Sequence, residues 1–167
     1  QKPVSLASLE QFSMRPQASA LLFEIAYSDW ATAEIDEREP LFDKVLKVRE
    51  QLDFYLGGIK DDVIALNADG KIAMGRGRYR EASTFFERQL FLSDNPRAET
   101  LRSAAFCLEQ SGMDGSARER LAEAIKADPM TLGHYIAKAS LEGRMRRPEA
   151  GLATLESLPP GIRETNE

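Results

Sequence analysis

The sequence predicts an all-α fold in which antiparallel helical hairpins stack side by side. Three observations predict it. Ala98 to Thr131 holds two apolar stripes of helical spacing with a glycine-containing break between them. Val63 to Asp94 repeats that layout. Nowhere does a period-two alternation of apolar and polar residues persist long enough to call for a strand.

In chain order, residues 1–16 read as an extended or weakly helical lead-in, because Gln1 to Pro16 has two prolines and scattered apolar residues at Leu6, Leu9 and Phe12. It is expected to lie in a groove of its own domain or of a second copy. Residues 17–62 read as a helical hairpin. Gln17 to Arg38 carries Leu21, Leu22, Ile25, Ala26, Asp29 and Ala33 at helical spacing, with Tyr27 and Trp30 flanking the apolar face. The next helix is expected to open at Pro40, whose missing N–H is no loss there, behind Asp36, Glu37 and Glu39, which suit a positive helix N-terminus. Leu41, Val45, Leu46, Val48, Leu52, Tyr55 and Leu56 form its stripe, and Gly57-Gly58 end it. Asp61-Asp62 sit at the next helix start, where the helix dipole explains them.

From Val63, Leu66, Gly70 and Ala73 lie on one helix, Gly77 in the turn, and Tyr79, Ala82 and Phe86 on the second. The next unit places Leu101, Ala104, Ala105 and Leu108 on one face, breaks at Gly112, Asp114 and Gly115, and resumes with Ala117, Leu121, Ala124 and Ile125 up to Asp128-Pro129. From Leu132, Tyr135 and Ala139 hold the large and small positions, while Lys138 and Glu142 interrupt the stripe and the turn GRMRRP is one residue short. Pro148 opens the last helix, continued by Leu152, Leu155 and Leu158 to Pro159-Pro160.

This layout resembles the tetratricopeptide repeat, a 34-residue helix-turn-helix with large, small and aromatic positions on helix A and Ala, Phe and Pro on helix B. The matching residues are Leu66, Gly70, Ala73, Ala82 and Phe86 in one copy and Leu101, Ala105, Leu108, Ala117, Leu121, Ala124 and Pro129 in the next. The first copy departs by two extra residues before Pro96 and by Gln89 where a small residue is usual. The resemblance covers Val63 to Leu158, in repeats 63–97, 98–131 and an atypical, capping 132–158, followed by a tail, 159–167. It implies a right-handed tetratricopeptide-like solenoid of seven or eight helices, with residues 17–62 as a degenerate repeat or cap.

The chain of 167 residues is 43% apolar and 29% charged with net charge −5, which suits one globular domain and argues against a general nucleic-acid binder. The single cysteine, Cys107, excludes an internal disulfide and a cysteine metal cluster, and its position on a helix A marks it as a small buried hydrophobe. The longest apolar run, Ala18 to Ala26, is interrupted by Ser19 and Glu24 and falls short of the roughly 20 residues of a membrane helix. Because the chain begins at Gln1, it is expected to be a processed product or a piece of something longer, with room for a signal or anchor upstream.

Catalytic chemistry finds little support. The one histidine, His134, falls near the start of a helix A and is expected to be partly exposed or locally bonded. No second histidine exists to pair with it in a metal site. GKIAMGRG has the look of a phosphate loop, but no strand precedes it and Gly70 serves helix packing. No enzyme activity, cofactor or metal is therefore expected.

Two surfaces stand out. Arg76, Arg78 and Arg80 occupy one hairpin turn and Arg144, Arg146 and Arg147 another. In a regular stack they line one edge, on the order of 20 Å apart. Such an edge suits an acidic protein or anionic headgroups, although arginine also simply solvates exposed turns. The other surface is the concave face of the A helices, presenting Ile64, Asn67, Lys71 and Met74, then Glu99, Arg102, Phe106, Glu109 and Gln110. The resemblance implies that peptides or helices bind there. Asn67 precedes Lys71, the reverse of the carboxylate-clamp order, which disfavours chaperone tails as ligands.

The expected function is a non-catalytic protein–protein interaction module, bacterial in its style of repeat, that scaffolds or tethers parts of a larger assembly through a protein or peptide partner. Alternatives are an accessory domain of a membrane-anchored envelope machine, as in polysaccharide export or pilus assembly, and a secretion chaperone. Self-association through the lead-in or an uncovered terminal repeat is a further expectation. Membrane association would come only through a missing upstream segment or the basic edge, and a soluble domain of bacterial cytoplasm or periplasm is expected.

Overall fold

The apolar stripes become the buried faces of α-helices in a computed structural model that describes residues 16–57, 59 and 62–163. Among the described residues there are nine α-helices and no strand: α1 Pro16–Thr32, α2 Arg38–Tyr55, α3 Val63–Gly75, α4 Tyr79–Phe91, α5 Ala98–Gln110, α6 Asp114–Ala127, α7 Leu132–Arg144, α8 Pro148–Glu156 and the single turn α9 Pro160–Arg163. From α3 to α8 each helix packs against the next in sequence, α1 pairs with α2, and α1 also touches α3. The lead-in expected at 1–16, Gly58, Asp61 and the tail beyond Arg163 lie outside the described residues, apart from Pro16, which starts α1.

The three hairpins from α3 to α8 share one register. The fourth residue of each A helix is large and buried: Leu66, Leu101 and Tyr135, all at most 3% exposed. The eighth is small: Gly70, Ala105 and Ala139. The fourth of each B helix is Ala82, Ala117 or Gly151. At two of these positions a neighbouring helix leaves no room for a larger side chain. A Cβ on Gly70 would stand 2.7 Å from the Phe86 ring, and one on Gly151 would stand 3.1 Å from the Ala139 carbonyl. Gly70 therefore serves close packing, as its place in the repeat predicts.

Each hairpin turns in the same way. The A helix is followed by three residues, the second with positive φ: Gly77 (70°), Gly112 (77°) and Arg146 (59°). Each turn is closed by the same backbone bond, from Arg78 N to Ala73 O, Met113 N to Leu108 O and Arg147 N to Glu142 O, all 2.9 Å. The GRMRRP turn is thus of equal length to the others, and Arg146 bears the left-handed strain that glycine avoids.

Several boundaries and stripes differ from the sequence reading. α1 stops at Thr32, and a 3-10 turn at Ile35–Glu37 leads into α2, which opens at Arg38. Pro40 is its third residue, where the N–H has no helical partner to lose. Leu21 is 52% exposed, and Phe23 fills the buried position beside Leu22 and Ala26. Gly115 lies inside the first turn of α6 rather than in the break. Leu152 and Leu155 are exposed while Gly151 and Thr154 are buried. The expected tail contributes α9, which buries Ile162.

The core runs as three successive clusters: Phe23, Val45 and Leu52 between α1, α2 and α3; Ala73, Phe86, Ala104 and Cys107 between α3, α4 and α5; Leu108, Leu121 and Leu141 between α5, α6 and α7. Burial pushes the Cys107 thiol up to about 12, consistent with a packing role. Two substitutions test the shared register in opposite directions. Gly70→Ala should lose about 1–3 kcal/mol by forcing the Phe86 ring aside. Arg146→Gly should gain about 1 kcal/mol by relieving the left-handed residue. Urea unfolding of each, compared with wild type, measures both signs.

Candidate functional site

Asp62 caps α3, its side chain accepting from Ile64 N (2.7 Å) and Ala65 N (3.4 Å), which fixes where α3 begins. Two turns on, Lys71 is only 7% exposed. Its ammonium donates to Glu24 of α1 (2.5 Å) and to Glu99 of α5 (3.2 Å), and lies 5.6 Å from the Tyr27 ring centroid. Asn67 Nδ2 donates to the other oxygen of Glu24 at 2.8 Å. Lys71 therefore joins three A helices instead of reaching out as a free partner-binding side chain. Burying an ammonium costs free energy unless it is paired, and here two carboxylates meet it.

Beside this bridge is a cleft of about 540 Å³ among α1, α3 and α5. Gln17, Leu21 and Glu24 form one wall, Ile64, Asn67 and Lys71 another, and Arg97, Glu99 and Thr100 a third, with Gln89 and Leu90 of α4 behind. Gln89 is 8% exposed, and its Oε1 is buried without a hydrogen-bond partner. An unmet acceptor of this kind costs about 1–3 kcal/mol.

The second part of the predicted concave face lines a separate groove of about 270 Å³, formed by Met74, Arg102, Ser103, Phe106 and Glu109 over Leu121 and Ala137. Phe106 is 43% exposed and meets Tyr79 edge to face at 5.6 Å. The nine predicted residues thus divide: Ile64, Asn67, Lys71 and Glu99 share the cleft, and Met74, Arg102, Phe106 and Glu109 share the groove. Gln110 joins neither. It lines an open depression with Arg78 and Arg80 at the α3–α4 turn.

Two of the six arginines of the edge pair with carboxylates and a third lies over an aromatic ring. Arg76 lies over the Phe42 ring at 5.1 Å, Arg78 pairs with Glu81 at 3.0 Å, and Arg144 pairs with Glu109 and bonds Ser140 at 3.0 Å. Arg80, Arg146 and Arg147 are exposed. Such surface pairs contribute at most about 1 kcal/mol each, but they reduce the edge's positive field.

Two ionic features escaped the sequence reading. Arg49 of α2 grips Asp69 of α3 with two bonds, 2.7 and 2.9 Å, and ties the first hairpin to the second. Glu142, read as an interruption, is 3% exposed and accepts from Lys138 (2.8 Å) and Thr154 Oγ1 (2.9 Å). Burial alone would raise its carboxyl, yet these bonds hold it below its ordinary value. The only signal for either was a charge placed among apolar residues.

His134, expected to be partly exposed or locally bonded, is 3% exposed, and its Nδ1 has no partner. Burial lowers its pKa, with Arg102 adding to the effect and Asp128 opposing it. Among the described residues no group of three or more His, Cys, Asp or Glu is placed to hold a metal ion. None of the described helices is long and apolar enough to cross a membrane. Neither a protein-family model nor a curated protein matches the chain.

Lys71→Met leaves Glu24 and Asn67 without their cation and should cost about 1–3 kcal/mol in urea unfolding, against less than about 1 kcal/mol for Glu99→Gln on the exposed side of the bridge. His134 supplies a pH dependence. Its folded pKa lies below the ordinary 6.5, so its contribution is complete above that value. It is lost as pH falls from 6.5 through the lowered folded value, because the unfolded chain protonates first. The urea midpoint should fall across this window in wild type and stay flatter in His134→Gln.

Proposed function

We propose that the chain is a non-catalytic protein–protein interaction module, built as a right-handed tetratricopeptide-type solenoid, that scaffolds or tethers components of a larger assembly through its A-helix face. Support for the repeat type comes from the shared register of three hairpins and their common turn. The observation that carries the function is the groove around Phe106. It crosses α3, α5 and α7, so its side chains come from all three hairpins. A half-exposed aromatic beside Met74, flanked by Arg102 and Glu109, suits the apolar side chain of an amphipathic segment with charges on either side.

The reading is tested by affinity capture from native lysate with wild type beside Arg102→Glu with Phe106→Ala, followed by mass spectrometry. A partner held by wild type and lost at least about tenfold by the variant, a change of about 1.4 kcal/mol, supports the groove. A partner held equally by both moves the interface elsewhere and overturns it.

A further inference from the structure

We propose that the edge formed by the hairpin turns is a self-complementary docking surface for a second copy of this chain, paired about a two-fold axis. It holds whether or not the Phe106 groove takes a partner.

Contacts between neighbouring hairpins order the turns along one edge. Trp30, near the end of α1, lies against Gly75, and Arg76 covers the Phe42 ring of α2, so the α1–α2 turn adjoins the α3–α4 turn. Gln110 shares a depression with Arg78 and Arg80, which brings the α5–α6 turn next. Arg144 pairs with Glu109, which places the α7–α8 turn last.

The sign of the charge alternates along this order when each turn is taken with the helical turn on either side of it. The first is acidic. Glu34, Asp36, Glu37 and Glu39 are exposed around one cation, Arg38, and Asp29 pairs with Lys44. The second is basic, because Arg76, Arg78 and Arg80 outnumber Glu81. The third carries Glu109 and Asp114 and no cation, while Arg118 and Glu119, further along α6, cancel. The fourth is basic again. There Arg144, Arg146 and Arg147 outnumber the exposed Glu149, and Glu142 is buried on Lys138. A two-fold axis between the second and third turns reverses the order, so the first turn meets the fourth and the second meets the third, acid against base at every step.

Two further observations favour this edge. Arg146 holds a positive φ of 59° where the equivalent turns have glycine, so the fold keeps an arginine at the edge at the expense of stability. Ile35, in the middle of the acidic turn, is 85% exposed. Pairing lays it against the α7–α8 turn of the other copy and adds an apolar contact to ion pairs that are individually weak.

Sedimentation equilibrium of the full chain tests the proposal. At about 0.1 M salt, a Debye length of about 10 Å screens the overall repulsion of two chains of net charge −5 but not charges in contact, whereas at about 1 M it shrinks to about 3 Å. The mass should rise with concentration toward twice that of one chain at the lower salt and return to that of one chain at the higher. Glu34→Arg with Glu37→Arg, and Arg146→Glu with Arg147→Glu, should each weaken the dimer at least about tenfold. Mixing these two variants should restore it, because the new cations of one then meet the new carboxylates of the other. Arg146→Gly should weaken it roughly threefold while raising the urea midpoint, which separates docking from folding. Circular dichroism checks that each variant keeps its helices. A monomer at the lower salt overturns the proposal. So does growth beyond a dimer, a dimer that survives the higher salt, or a pair of reversed variants that fails to recover on mixing.

Discussion

Close approach of the two helices in each hairpin is the constraint on which the stack depends. It excludes a larger residue at Gly70 and Gly151, and the chain has glycine or alanine at the eighth position of every A helix and the fourth of every B helix. At Gly70 there is no margin, since the Phe86 ring already occupies the space a Cβ would need. Interiors packed at crystal-like density leave no slack to absorb such an atom. With the backbones this close, each hairpin has one face left over, and the next hairpin covers it. The three core clusters follow from that succession.

Charge then joins what apolar packing alone leaves loosely attached. The first hairpin lacks the shared register, and it is tied to α3 by Arg49 with Asp69 and by Lys71 with Glu24. Ion pairs are weak glue on an open surface, but a paired lysine at 7% exposure has no equally good arrangement elsewhere. The same bridge shapes the cleft by drawing α1, α3 and α5 to a common point. In the last described hairpin, Glu142 with Lys138 and Thr154 holds α7 to α8.

Local signals in the sequence carried most of the helical layout. Leu66, Leu101 and Tyr135 announced the A helices by spacing, Gly77 and Gly112 announced turns by their tolerance of positive φ, and Pro148 announced a helix start. The misreadings share a cause. Pro40 suggested a start at its own position because proline is accepted anywhere in a first turn, and the GRMRRP turn looked one residue short because Arg146 takes a backbone conformation usually left to glycine.

The candidate site was less legible, and the reason is distance along the chain. Lys71 meets Glu24 and Glu99, 47 and 28 residues away, and nothing in the spacing of either carboxylate marks it as a partner. The sequence by itself determined the helices, their pairing into hairpins and the small residues that let them touch, since each depends on neighbours within a turn or two. Tertiary structure alone decided which charges were buried against each other, that the nine predicted surface residues divide between a cleft and a groove with Gln110 outside both, and that Leu21 stays open. Those outcomes depend on which helices from distant parts of the chain meet, and no local periodicity encodes that.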